Sequence, residues 1–161
     1  MEIAFDSRRA LRHILVTSLH TNMMELSELR TLIDFGMVVV LWLVQLIIYP
    51  SFLRCELIAL VDWHRSYTAR VAWVIIPLMF TQLPLVAWIT WQQGGGYNYA
   101  ALGALVVCWL LTFGVSVPLH RRIDRGDTSA STVERLIQTN WPRTFLWTLA
   151  FVFGLLAGST A

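Results

Sequence analysis

Lysine is absent from this sequence, and all twelve basic residues are arginine. Charge of either sign is scarce. Only 14% of the 161 residues are charged, against roughly 25% in a soluble domain, so the chain cannot cover a water-facing surface. There are only two cysteines. Cys55 falls just past the first apolar run and Cys108 near the middle of the third. A disulfide needs Cα atoms within ~7 Å, so both are expected to be free thiols, and no Cys/His spacing suits zinc. P-loop, GxSxG, HExxH and GxGxxG patterns are missing, which removes support for nucleotide hydrolysis and the common hydrolase mechanisms. No carboxylate falls in the middle of an apolar run, which disfavours an ion pump or proton-driven transporter. The arginines flank apolar segments instead of forming a basic domain, so nucleic acid is not an expected partner.

What the chain does have is hydrocarbon: 57% apolar residues and a mean hydropathy of +0.61. Crossing ~30 Å of hydrocarbon takes about 20 helical residues. Runs at 32–53, 71–91 and 97–119 meet that length, and a shorter one lies at 143–158. The expected fold is all-α: a polytopic membrane four-helix bundle (residues 32–161) with helices extending beyond the membrane on an Arg-rich side. Residues 1–31 carry Arg8, Arg9 and Arg12 without the apolar core and cleavage site of a signal peptide, and read as an interfacial amphipathic helix or a loose tail. Trp88, Trp91, Tyr97, Tyr99, Trp141 and Trp147 fall near run ends, as an interfacial aromatic belt requires.

Connections set the topology. Gln92 to Gly96 is short and uncharged, so the second and third spans form a hairpin. The segments 54–70 and 120–143 carry eight Arg: Arg54, Arg65, Arg70, Arg121, Arg122, Arg125, Arg135 and Arg143. The positive-inside rule therefore places those two loops in the cytoplasm and the termini outside, in a cell inner membrane. Arg30 and the N-terminal arginines stand against this orientation. Leu57, Leu60, Val61, His64, Tyr67 and Val71 recur at helical spacing and lead directly into the second span. Pro77 and Pro84 are expected to kink it. Gly126 suits a helix stop, Ser131 and Glu134 match a capping box, and Pro142 kinks or starts the fourth span.

The informative feature is convergence. His64, Tyr67, His120, Asn140, Trp141, Arg143, Thr144 and Tyr49 all fall at the Arg-rich end of an antiparallel bundle. Polar groups beside hydrocarbon are costly unless satisfied, so they bond to one another or to a ligand. His64, Tyr67, Val71, Ile75, Leu78 and Gln82 share a helix face. Trp109, Phe113, Ser116 and His120 share another. The expectation is an aromatic-walled site with His64 or His120 as base, Arg143 and Asn140 stabilising an oxyanion, and Tyr67, Gln82, Trp141 and Thr144 contacting substrate. A structural cluster that ties the helix ends together and touches lipid phosphate explains the same residues. No cofactor is required. A haem or metal at His64 and His120 is a further option, with Glu56, Asp62, Asp124 and Asp127 as the nearby carboxylates. Asp34 reads as the N-terminal residue of the first span, complementing the helix dipole. Gly154 and Gly158 form a GxxxG that permits close helix contact or a homo-oligomer.

The segments WLVQLIIYPSF (Trp42 to Phe52), WHRSY (Trp63 to Tyr67), VPLHRRID (Val117 to Asp124) and TNWPRTFLWT (Thr139 to Thr148) resemble a pattern in small four-helix bacterial membrane proteins. They are also distantly similar to the anthrone-oxygenase-like membrane family, with its Asn-Trp-x-Arg-Thr element. The resemblance covers Trp42 to Thr148. It implies a four-helix bundle and cofactor-independent oxidation of a polycyclic phenolic substrate, with His64, Tyr67, His120, Asn140, Trp141, Arg143 and Thr144 as the positions carried over. Two functions follow as expectations. One is a membrane oxidoreductase or oxygenase acting on a hydrophobic aromatic or quinone-like molecule. The other is a non-catalytic subunit or assembly factor of a membrane complex, with lipids and a membrane protein as partners.

Overall fold

The structure is a computed structural model. It describes the backbone of residues 2–159, and the side chains of 21 and 23–159 apart from 57 and 58. The described residues form helices and short connections with no strand. Helix α1 (Glu2–Leu43) passes through a π turn (Val44–Ile48) into α2 (Tyr49–Phe52). Helix α3 (Leu57–Gln93) is a single rod. Helix α4 (Gly96–Leu111) passes through a second π turn (Thr112–Ser116) into α5 (Val117–Asp124). Helix α6 (Ala130–Ser159) is the last rod. The four rods pack side by side with tight connections, α4 against α6 most extensively.

Both π turns have a cause in the sequence. Each is followed two residues later by a proline, Pro50 or Pro118. Proline lacks an N–H and its ring clashes with the carbonyl four residues back. Widening the turn relieves the clash, and the bond reaches back five residues instead: the Tyr49 N–H donates to Val44 O and the Val117 N–H to Thr112 O. Pro77, Pro84 and Pro142 lie inside α3 and α6, which stay continuous through them.

Turn chemistry closes the rods. Gly94 (φ 65°) and Gly95 (φ 86°) make the hairpin between α3 and α4. Gly126 (φ 97°) ends α5, its N–H donating to Ile123 O and that of Asp127 to Arg122 O, a left-handed C-terminal cap. The start of α6 differs from the sequence expectation. Ser129, not Ser131, caps it. The Thr132 N–H donates to Ser129 Oγ at 3.4 Å, while Ser131 already lies in the helix, because the chain enters α6 straight from the Asp127 turn.

Three stretches, Met23–Phe52, Ala59–Gln93 and Gly96–Asp124, are long and apolar enough to cross a membrane. The expected fourth span, 143–158, is the C-terminal part of α6, which is not among the three. The expected first span also shifts. Its apolar helix starts at Met23 instead of 32, so Asp34 lies well inside a continuous helix. It faces no helix N-terminus and cannot be serving the dipole there. The two Arg-rich loops are mostly helix: 57–70 belongs to α3 and 130–143 to α6. Arg54, Arg65, Arg70, Arg121, Arg122, Arg125 and Arg135 are exposed at that end, whereas Arg143 is buried within the bundle. The side chains of Arg8, Arg9 and Arg12, and with them the amphipathic face expected of residues 1–31, lie outside the described residues.

The packing is inverted relative to a water-facing protein. Trp73, Trp91, Leu32, Ile47 and Leu110 are exposed, while Arg30, Asp34, Gln45, His64, Gln82, Asn98, Asn140 and Arg143 are buried. One apolar cluster, including Met37, Leu41, Met79, Val86, Leu105 and Trp147, fills the middle of the bundle. A second, including Val44, Phe52, Leu60, Leu119, Ile123 and Leu136, fills the Arg-rich end. Trp147 is fully buried and is therefore a core residue, not part of an interfacial belt. Trp88, Trp91, Tyr97 and Tyr99 are exposed around the glycine hairpin.

Candidate functional site

The two π turns position the site. The first sets Gln45 and, directly after it, Tyr49 toward the bundle interior. The second does the same for Ser116 and, one turn on, His120. The widened turn also rotates the third rod. Ser116 is buried but Phe113 is 51% exposed, so Phe113 does not belong to the inward face that straight helical spacing assigned to it.

These residues assemble with His64 into an unbroken row of hydrogen bonds. Asp124 Oδ1 lies 2.7 Å from His64 Nδ1, His64 Nε2 lies 2.8 Å from His120 Nδ1, and His120 Nε2 lies 2.9 Å from the Tyr49 hydroxyl. A carboxylate only accepts. His64 Nδ1 therefore carries hydrogen, and in the neutral ring its Nε2 accepts from His120 Nδ1–H. His120 Nε2 then accepts from the Tyr49 O–H. Every donor in the row points toward Asp124. Its outer end meets solvent, the Asp124 side chain being 35% exposed, whereas His64 and Tyr49 are buried and His120 is half-buried. The Phe52 ring packs edge-on against His64, and Tyr67 lies edge-on to Phe52. Arg65 Nη2 donates to the Asp124 carbonyl at 2.6 Å, which anchors the outer end.

The fourth rod brings a cation to the inner end. Arg143 Nη1 donates to Ser116 Oγ at 2.9 Å and to Asn140 Oδ1 at 2.8 Å, and the guanidinium faces the Tyr49 hydroxyl. Its Nε has no hydrogen-bond partner among the described residues, and its Cζ lies 5.5 Å from the Trp147 ring centroid, a cation–π arrangement. Asn140 Nδ2 donates to Gln45 Oε1 at 2.7 Å, and Gln45 Nε2 to the Ile137 carbonyl at 3.3 Å. Thr144 donates to the Asn140 carbonyl at 3.1 Å. All four rods thus meet in one network.

Of the residues singled out from sequence, His64, His120, Asn140, Arg143 and Thr144 come together. Tyr67 stands half-buried at the edge. Gln82 and Trp141 lie elsewhere. Gln82 shares the face of His64 but stands about 27 Å along α3 at ~1.5 Å per residue. There its Nε2 donates to Asp34 at 2.6 Å and its Oε1 accepts from Trp147 Nε1 at 2.8 Å. Trp141 stacks on Phe145 and meets Trp42 edge-on, at the flank of α6. Sequence reasoning did not single out Gln45, and took Asp124 only as a nearby carboxylate. Gln45 had a signal, being a lone amide inside VVVLWLVQLIIY.

A haem or metal does not fit this arrangement. All four ring nitrogens of His64 and His120 are engaged by protein groups, and the facing nitrogens of the two rings are 2.8 Å apart, which leaves no space for a metal between them. Among the described residues no three His, Cys, Asp or Glu side chains gather as a metal site. Cys55 is half-buried and Cys108 buried, both as free thiols. In the turn outside the apolar helices, hydrogen bonds from Ser129 and then Thr132 hold the Asp127 carboxyl below its usual value. Comparison with protein-family models, with curated proteins and with solved structures gives no match.

Proposed function

We propose that this chain is an integral membrane protein, a four-helix bundle in the cell inner membrane. We further propose that its Asp124–His64–His120–Tyr49 row carries protons between the Arg-rich face and a lipid-soluble phenolic or quinone-like substrate. The membrane reading rests on three helices of sufficient length and apolarity, together with the inverted burial pattern. In the same reading the seven exposed Arg mark the cytoplasmic side.

The unbroken row of hydrogen bonds, open to solvent at Asp124, carries the chemical reading. A substrate hydroxyl beside Tyr49 gives its proton to the Tyr49 oxygen as the Tyr49 proton passes to His120 Nε2. The His120 Nδ1 proton passes to His64 Nε2, and the His64 Nδ1 proton passes to Asp124. The substrate becomes an anion, Asp124 becomes a carboxylic acid, and water at the exposed end takes up the proton. Arg143 stabilises the new oxyanion. An electron-rich phenolate is the form that an oxidant attacks, which connects this acid–base role to oxidation. Tyr67, half-buried, is the aromatic side chain past which a flat ring approaches from lipid, with the buried Phe52 packed behind it.

A specific observation favours a second reading. Every ring nitrogen in the row is already satisfied within the protein. A latch that fastens the rods in a non-catalytic subunit of a membrane complex needs nothing more. The experiment compares His64→Ala and Arg143→Gln with the unmodified chain in vesicles, offering lipid-soluble phenols and hydroquinones with dioxygen and recording oxygen uptake. Under the relay reading both variants lose turnover by two orders of magnitude or more while remaining folded and extractable. Reduced abundance with no turnover in any form, the unmodified chain included, supports the latch.

A further inference from the structure

The opposite end of the bundle holds a different feature. A cavity of about 770 Å³ opens between α1, α6 and the glycine hairpin, its wall including Ser27, Glu28, Arg30, Thr31, Leu155 and Gly158. That volume suits a drug-sized or lipid-sized ligand. Arg30, 3% exposed, forms part of the wall. Its Nε donates to Asp34 at 3.3 Å and its Nη1 to Asn98 Oδ1 at 2.7 Å, but the buried Nη2 has no hydrogen-bond partner among the described residues. Nη2 stands beside Gly154, another wall residue, where an added Cβ would come within 3.1 Å of it. Gly154 is thereby the seat of a guanidinium, which gives the GxxxG pattern a role inside one chain.

The charge state of this wall narrows the ligand. Asp34 already neutralises Arg30, and Glu28 adds a negative charge at the wall, so a second anion would meet repulsion. What Nη2 lacks is an acceptor. The hydroxyls are in the reverse position. Ser27 donates to the Met23 carbonyl at 3.0 Å and Thr31 to the Ser27 carbonyl at 2.9 Å. Their hydrogens are committed, and their oxygens can only accept. The wall therefore presents the Arg30 donor and the Gln93 amide beside several acceptors on a largely apolar surface. We infer that this cavity binds a neutral amphiphile. Its carbonyl oxygen accepts from Arg30, its hydroxyls donate to acceptors among Ser27, Thr31 and Glu28, and its acyl chain lies along Met23 and Leu155. The site is about 28 Å along α1 from Tyr49 at ~1.5 Å per residue, and the inference does not depend on the proton relay.

The test uses native mass spectrometry of the detergent-purified full chain, titrated with 1-decanoylglycerol. Two matched probes accompany it: 1-decylglycerol, which lacks only the carbonyl, and decanoate, which is anionic. The ester is expected to saturate at one molecule per chain. The ether should bind about tenfold more weakly, as the loss of a hydrogen bond from a charged donor implies, and decanoate more weakly still. Arg30→Gln risks misfolding, because it leaves Asp34 buried without its cation. The decisive variant is Gly158→Trp, since a Cβ at Gly158 meets nothing within 4 Å and the ring enters the cavity. It should abolish the ester adduct at unchanged helicity. Equal binding of ester and ether, tightest binding of decanoate, an unaffected Gly158→Trp variant, or no saturable adduct each overturns the inference.

Discussion

The two ends of this bundle bury an arginine each and hold it by opposite means. Near the glycine hairpin, Arg30 pairs with Asp34 four residues along the same helix, and amides from Asn98 and Gln82 complete the pair. At the Arg-rich end, Arg143 contacts a serine, an asparagine amide, a tyrosine hydroxyl and an indole face, and among the described residues no carboxylate pairs with it. The first arrangement cancels its charge locally. The second leaves a cation facing a phenol at the inner end of a row of proton carriers. A compensated pair is suited to structure and to neutral ligands. An uncompensated cation is suited to stabilising an anion that forms only during a reaction. Trp147 separates the two regions, with its ring toward Arg143 and its Nε1–H bonded to Gln82.

The largest expected effect comes from breaking the compensated end. Asp34→Leu leaves Arg30 buried without its counter-charge and should lower stability by about 3–5 kcal/mol, read as a drop in thermal midpoint in detergent. Adding Arg30→Met to that variant should restore most of the loss, since a buried ion pair replaced as a unit by apolar groups is often close to neutral. A double variant no better than Asp34→Leu alone would mean that the pair is not acting as a unit.

At the uncompensated end the comparison sharpens with a smaller change. Tyr49→Phe removes one hydroxyl, leaving His120 Nε2 without its donor and Arg143 facing a bare ring. The stability cost should be about 1–3 kcal/mol, the penalty for a buried polar atom left unpaired. Proton transfer should fail in that variant even where the fold survives. A variant that keeps full turnover would take Tyr49 out of the relay and leave the row as a latch.

The glycine pair separates the two readings of its own pattern. Gly154→Ala places a methyl within 3.1 Å of the Arg30 guanidinium and should cost about 1 kcal/mol, at the low end for overpacking, because the arginine tip can shift. Gly158→Ala meets nothing within 4 Å and should be neutral, or stabilising by up to about 0.5–1 kcal/mol through helix propensity. If the two glycines instead served a helix–helix dimer, both substitutions would weaken self-association, which analytical ultracentrifugation in detergent measures.

Sequence carried the all-helical class and the level at which His64, His120, Asn140 and Arg143 meet. Apolar run length and antiparallel connection are nearly sufficient for both. It did not carry depth along a shared face. Gln82 and His64 lie on the same stripe, yet five turns separate them, because periodicity fixes angle but not height. Nor did it carry the π turns, since Pro50 and Pro118 signal local disturbance without specifying that one extra residue enters the turn. Asp34 was misread for a related reason. Hydropathy marks where the apolar run begins, but a helix that began earlier removes the free N-terminus that the dipole argument needs. Trp147 looked interfacial by its place in the chain and is buried by its partners, Gln82 and Arg143.

The smallest effect concerns the turn that sets the outer end of the relay. Asp127 lies three residues past Asp124. Its carboxylate accepts from Ser129 Oγ at 2.7 Å and from Thr132 Oγ1 at 2.9 Å, and Arg122 Nε lies 3.4 Å away. These contacts favour the charged form, so its folded pKa is depressed. A depressed carboxylate stabilises the fold above its unfolded pKa of about 3.9 and loses that contribution as pH falls through the folded value. Asp127→Asn should therefore lower the thermal midpoint slightly at pH 7, and the gap from the unmodified chain should close in strong acid. Because the group is exposed and solvent-screened, the shift should be far smaller than that of Asp34→Leu. A gap that persists unchanged in acid would show that the turn depends on the shape of the side chain and not on its charge. It would also leave the compensated pair at the far end as the carboxylate whose charge the fold requires.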